Sequence, residues 1–148
     1  MDKALARIGL ALRAGRLEAG EDPAGDACRE KRCRLLLTAS DAGSNALRKA
    51  ERFADMGQCL TLALPWSKTE LGAALGRESC ALAAVTDLGL ARAIAEKLAR
   101  TDAAAYGGTA ERLRLKAERA AQRKEKKPGE RKRTAERPVQ YNRKKSKK

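Results

Sequence analysis

A chain of 148 residues has room for one domain with a hydrophobic core and little more. Its net charge of +14 is unevenly spread: 16 Lys+Arg face 13 Asp+Glu up to Arg100, whereas 17 face 6 beyond it, which points to a polyanionic partner for the C-terminal part. No apolar run reaches membrane-spanning length and no secretory leader pattern is expected at the start; with no histidine, the commonest general base and metal ligand is absent as well.

In chain order, Leu5, Ile8 and Leu12 recur at helical spacing and Gly15 follows as a stop, predicting a first helix over 2–14. Arg16 to Ala19 suits a short strand. Asp22 then reads as a helix cap with Pro23 in the first helical position, opening a helix to about Lys31. Cys33 to Ala39 is a short apolar run suited to a buried strand, turned by Ser40 to Gly43. Leu47, Ala50 and Phe53 mark a helix over 45–56 that stops at Gly57. Cys59 to Leu64 is the next strand, ended by Pro65. Ser67 and Glu70 have capping-box spacing, and that helix ends at Gly76. Cys80 to Thr86 is the last strand, and Asp87 caps a helix whose face is Leu90, Ile94 and Leu98. Such alternation predicts an α/β layer structure with helices covering a mostly parallel sheet.

Gly107-Gly108 reads as a joint. Past it, 109–127 is rich in helix formers, but Leu113 and Leu115 stand two apart and make no broad apolar stripe, so a solvated helix is expected. After Pro128-Gly129 the chain is polar and basic, and disorder is expected. This divides the molecule into a domain over 1–100 and a basic tail over 101–148. Lys126-Lys127, Arg131-Lys132-Arg133 and Arg143-Lys144-Lys145 are closely spaced cations suited to sequence-blind, salt-dependent contact with phosphate. With few large apolar residues to insert, the tail fits nucleic acid better than a membrane. Its competing reading is a solvating appendage. Cys28, Cys33, Cys59 and Cys80 lack the close pairing of a zinc site and read as buried reduced thiols of a cytoplasmic protein, with no metal or cofactor expected.

Charge does not choose RNA over DNA; a resemblance does. Arg13-Ala14-Gly15-Arg16-Leu17-Glu18-Ala19-Gly20-Glu21, Leu36 to Ala42, Ser67-Lys68-Thr69-Glu70-Leu71-Gly72 with Gly76, and Ala84-Val85-Thr86-Asp87-Leu88-Gly89 resemble, in order, segments of the ribosomal protein seven-Ae/thirty-e superfamily and its bacterial YlxQ-like branch. The resemblance covers roughly residues 3–98. It implies a three-layer α/β/α sandwich with a mixed, mostly parallel four-stranded sheet, and kink-turn or ribosomal RNA as ligand. Relatives hold RNA at one end of the sheet. The glycine turn and helix start correspond to Gly20, Glu21 and Asp22, and the loop after the "L-G" helix to Arg77, Glu78, Ser79 and Cys80. Arg16, Arg29, Lys31, Arg32 and Lys68 are candidate flanking phosphate contacts. Strong kink-turn binders carry an amide or acid, then a lysine three places on, where this chain has Pro23 and Asp26; that weighs against the ordinary kink-turn but not against structured RNA.

The function expected is therefore non-catalytic binding of structured RNA, associated with the ribosome or translation, by a cytoplasmic monomer without a membrane partner. Two alternatives stand beside it. One is a protein-interaction module whose tail alone touches nucleic acid. The other is an enzyme using Asp41 and Asp87, which both follow strands but are equally explained as turn and cap; neither glycine-rich phosphate-loop motif is present.

Overall fold

The alternation of apolar runs and amphipathic segments folds as α1 (Lys3–Arg13), β1 (Leu17–Ala19), α2 (Glu21–Arg29), β2 (Leu35–Thr38), α3 (Ser44–Gly57), β3 (Leu60–Ala63), α4 (Lys68–Ala74), β4 (Leu82–Val85), α5 (Leu88–Thr101) and α6 (Ala103–Lys126). This computed structural model describes residues 3–126; the basic clusters beyond Lys126 lie outside the described residues. The chain divides into two compact units, Met1–Arg114 and Leu115–Lys148. The first holds the sheet and its helices, and the described part of the second is the continuation of α6.

The sheet has the order β1-β4-β2-β3. β2 and β3 pair in parallel, in register from Leu35↔Leu60 to Thr38↔Ala63. β4 runs against both its neighbours, with Ala19↔Ala83 on one side and Thr38↔Leu82 on the other. The sheet is therefore mixed, and the expectation that it is mostly parallel is corrected. The reason lies in α4. A seven-residue helix spans only about 10 Å, and the Cys80 N–H donates to the Lys68 carbonyl at 3.0 Å. The chain thus leaves β3, makes one short helical excursion and re-enters the sheet from the same end, so β4 must run backwards.

β2 and β4 are buried along their whole length, and alternate residues serve two cores. Leu35, Leu37, Ala83 and Val85 join Leu5, Ile8, Leu71, Ile94 and Leu98 on one face. Leu36, Leu82 and Ala84 join Ala24, Ala27, Cys28 and Ala50 on the other. Helices thus cover both faces, which explains strands of near-continuous apolar sequence. Each fully buried leucine contributes on the order of 1.5–3 kcal/mol.

Side-chain caps locate the starts of α4 and α5. The Ser67 hydroxyl accepts from the Glu70 N–H at 3.1 Å while the Glu70 carboxylate accepts from the Ser67 N–H at 2.9 Å, a complete capping box. Asp87 caps α5 through the Leu90 N–H at 2.9 Å. Two ends differ from expectation. α2 starts at Glu21 behind Gly20, so Asp22 is helical rather than the cap and Pro23 is the third residue; proline is accepted there because an N–H in the first turn has no helical partner. α3 ends on Gln58 in the left-handed region, one residue past Gly57.

The largest departure is α6, which runs unbroken through Gly107-Gly108. Two glycines cost about 1 kcal/mol each relative to alanine, yet the surrounding turns are anchored. The Tyr106 hydroxyl donates to the Ala63 carbonyl at 2.9 Å, while Ala110 and Leu113 are buried in the core beside α1 and α5 residues. Leu113 needs no partner stripe, since one side chain suffices at a crossing of elements. Leu113→Ala is expected to destabilise the protein by about 2–5 kcal/mol, as for other buried leucines. Urea denaturation followed by circular dichroism measures this, and a change within about 0.5 kcal/mol is the outcome of a solvated helix.

Candidate nucleic-acid interface

One end of the sheet gathers the finish of β1, β2 and β3 and the start of β4. β1 closes with the Gly20 N–H donating to the Leu82 carbonyl at 2.9 Å. Gly20 itself has φ 102 and ψ 164, a region reserved for glycine. This turn leads into the start of α2, where Glu21 and Asp22 carry the N–H groups ahead of Pro23.

The second segment comes from the chain between α4 and β4. Gly76 turns the chain at φ 72, and Arg77, Glu78 and Ser79 are exposed while Cys80 is buried. The turn is clamped onto its helix. The Arg77 N–H donates to the Gly72 carbonyl at 2.8 Å, and a Cβ at Gly72 would stand 2.6 Å from the Ser79 Cα. The two segments meet directly, since a Cβ at Gly20 would lie 3.0 Å from Nη1 of Arg77. Cys80 sits beneath them, its thiol donating to the Leu82 carbonyl at 3.1 Å. Burial raises that thiol above the ordinary cysteine range, while the Gly20 backbone and the Arg77 charge pull the other way.

Lys68 belongs to the same end through its backbone. Its N–H donates to Oδ1 of Asp41 at 2.8 Å, and the Ser40 N–H donates to the Trp66 carbonyl at 2.8 Å. Asp41 therefore ties the turn after β2 to the start of α4. From α3, Lys49 pairs with Glu21 at 2.8 Å.

The other expected phosphate contacts are not brought there. The Arg16 carbonyl accepts from the Thr86 N–H at 2.9 Å, where β4 finishes. Arg29 closes α2, roughly 12 Å along the helix from Glu21. The segment after it reaches the same far end, since the Arg34 N–H donates to the Val85 carbonyl at 2.7 Å. Arg29 pairs with Asp26, and Arg32 with Glu30 at 2.7 Å and Glu18 at 3.5 Å. The Lys31 ammonium donates to the Met56 carbonyl. Each of these side chains has a partner within the fold while remaining exposed. The tail cations from Lys127 to Lys145 lie outside the described residues, and Lys126 is the last residue of α6.

Two groupings escape sequence reasoning. Lys3, Arg7 and Arg13 of α1 line a groove with Lys97 of α5 and the half-exposed Leu10, and Arg100 continues it. Partial desolvation, with the nearby charges of Arg100, Arg7 and Lys3, holds the Lys97 ammonium below the ordinary lysine range. The signal for this groove is the helical spacing of cations on the polar face of α1, which apolar periodicity does not register. The second is a convergence of Cys28, Cys33 and Cys59, whose spacings of five and 26 residues form no motif.

The fold and site define a small α/β domain with a preformed, glycine-dependent turn pair at one end of a mixed sheet. No family model matches the chain. The RNA-binding protein YlxQ of Bacillus subtilis (strain 168) is 35% identical over 88 residues, which cover 57% of this chain and 83% of that protein. The chain belongs to the YlxQ family, a bacterial branch of the ribosomal protein seven-Ae/thirty-e superfamily. A solved structure of a protein of unknown function from Bacillus halodurans C is also similar, at 28% identity and a TM-score of 0.60, over 66% of this chain and 97% of that one.

The turn geometry makes a stability prediction. Gly20→Ala forces a side chain into a glycine-only conformation and against Arg77, and is expected to cost about 1–3 kcal/mol. Gly15 at φ 74 has open space around it, so Gly15→Asn is expected to stay within about 1 kcal/mol because asparagine tolerates the left-handed region. Parallel urea titrations compare them.

Proposed function

We propose that the protein is a non-catalytic, cytoplasmic binder of structured RNA, ribosomal or kink-turn-like, acting with the ribosome or in translation. The observation that carries this reading is the direct apposition of the Gly20–Asp22 helix start and the Arg77–Cys80 turn. Exposed helix-start N–H groups suit a phosphate, and a neighbouring rigid turn bearing Arg77 suits a splayed nucleotide. The Bacillus subtilis relative, an RNA-binding protein by name, supports the same class of ligand. A binding rather than catalytic role is supported by Asp41 and Asp87, each engaged in accepting a backbone N–H at a helix start.

On this reading the sheet end reads shape, and the tail beyond Lys126 adds electrostatic grip. Pro23 and Asp26 favour an RNA other than the ordinary kink-turn. Asp26 is directed to Arg29 rather than left for a phosphate.

The test is fluorescence anisotropy with labelled folded RNA and duplex DNA of equal length, at several salt concentrations. Arg77→Ala is expected to weaken RNA binding about tenfold, the scale of one charge-assisted contact, and to erode the preference over DNA. Arg29→Ala, at the far end of α2, is expected to leave both unchanged. Ending the chain at Lys126 should flatten the salt dependence, by about 0.9 in logarithmic slope for each phosphate that is no longer neutralised. Equal binding of RNA and DNA, unaffected by Arg77→Ala, overturns the shape-reading part and leaves a protein-interaction module with an adhesive tail.

A further inference from the structure

Cys28 stands in the last turn of α2, Cys33 in the connection to β2, and Cys59 in the connection from α3 to β3. Their three sulfur atoms all lie within 4.8 Å of one another. Cys28 and Cys33 are almost wholly buried, at 0% and 3% exposure, and Cys59 is half-buried. Sulfurs bound to a single zinc ion at about 2.3 Å stand roughly 3.8 Å apart. The thiols thus converge from three separate stretches of chain to within small side-chain adjustments of a shared cation.

We infer that Cys28, Cys33 and Cys59 form a binding site for a thiophilic divalent cation of the Zn²⁺ class, with water as the fourth ligand on the Cys59 side. The backbone holds the ligands in place before any metal arrives. The Cys33 N–H donates to the Ala27 carbonyl at 3.3 Å, and the Cys59 N–H to the Ala54 carbonyl at 3.2 Å. The end of α3 lies directly on Cys28, since a Cβ at Gly57 would be 3.2 Å from both the Cys28 Cα and Cβ.

Strain concentrates here too. Among the described residues, the non-glycine positions with left-handed backbone are Lys31, between Cys28 and Cys33, and Gln58, immediately before Cys59. Such conformations cost free energy and persist where the surroundings over-determine them.

Simple packing of small apolar thiols among Ala24, Ala27 and Leu36 is the competing account, and it does not require the three sulfurs to converge. Without a cation that convergence penalises ionisation. Burial and then Cys59 push Cys28 up to about 11, and Cys33 is pushed far above the ordinary thiol range by its hydrogen bond to Cys59 and by burial. A bound dication reverses this logic. Each thiol releases one proton to solvent, and three thiolates with Zn²⁺ leave a single negative charge. The Arg29 guanidinium, whose field already favours the Cys28 thiolate, offsets it. The site lies at the opposite end of α2 from Gly20 and is independent of the RNA reading.

The experiment uses the full-length chain purified under reducing conditions, loaded separately with Zn²⁺ and Co²⁺ and passed through gel filtration. One metal per chain by elemental analysis is expected, with cobalt showing sulfur-to-metal charge-transfer absorption and the strong visible bands of tetrahedral coordination. Cys59→Ser should weaken metal affinity at least tenfold and alter those bands, while Cys80→Ser leaves them unchanged. Chelation of the wild-type protein should lower its Tm, since metal binding couples to folding. The wild type alone decides if a variant fails to fold. Absence of retained metal and cobalt–sulfur absorption, or equal loss in Cys80→Ser, overturns the assignment.

Discussion

The position of β4 between β1 and β2, antiparallel to both, is the constraint on which the functional end of the molecule depends. Because β4 begins where β1 and β2 finish, the turn before it must emerge beside the turn after β1. The hydrogen bond from Gly20 to Leu82 fixes that meeting at the level of single atoms. Had β4 run parallel, its entering turn would lie at the far end with Arg16 and Arg34, and Gly20 would face no partner. The short α4 enforces the reversal, and its contact between Gly72 and Ser79 leaves the turn little freedom. The surface is therefore built by topology before any ligand is present, which reduces the ordering cost that binding has to offset.

Charge is arranged differently from shape. At the sheet end, Glu21, Asp22, Asp41, Glu70 and Glu78 stand with Lys49, Lys68 and Arg77, so this end carries no excess of positive side chains. On the proposed function, the groups offered there are the backbone N–H donors at the start of α2 and the Arg77 guanidinium beside Gly20. The concentrated positive charge lies instead in the α1–α5 groove and in the sequence beyond Lys126. At physiological salt a field of this kind acts over about 8 Å. Such a field raises the local concentration of a polyanion without selecting its conformation. On the proposed function, selectivity and grip would fall to different parts of the chain.

Much of the fold was legible because apolar periodicity and caps are local. Ser67 with Glu70, Asp87, Gly15 and the three apolar runs each announce an element from a few neighbouring residues. Strand direction has no such local signature. It follows from the length of α4 and a hydrogen bond between Cys80 and Lys68, neither visible in alternation alone. The same limit explains α6, where two glycines suggest a break that tertiary contacts of Tyr106, Ala110 and Leu113 override. At the site, the two turns were readable as segments, but their contact was not. The distance of the flanking cations from the turn pair was hidden for a related reason. Arg29, Lys31 and Arg32 are near Gly20 in sequence, yet a nine-residue helix carries them to the other end and into pairs with Asp26, Met56 and Glu30.

That helix connects the two candidate sites of the molecule. α2 is short, starts at the Gly20 turn and carries Cys28 in its last turn. Its packing partner α3 meets it at both ends, through Lys49 and Glu21 near the start and through Gly57 against Cys28 near the finish. An exposed ion pair contributes at most about 1 kcal/mol and loosens with salt, so the buried thiol end is the firmer attachment. A nine-residue helix has few internal hydrogen bonds and gains its stability from packing rather than propensity, and Ala24, Gly25, Ala27 and Cys28 are all buried, with Gly25 lying against Phe53 of α3. The glycine turn is thus fixed locally, by the Gly20 N–H on the Leu82 carbonyl and by Arg77 beside it, while the helix behind it is anchored by burial along its length.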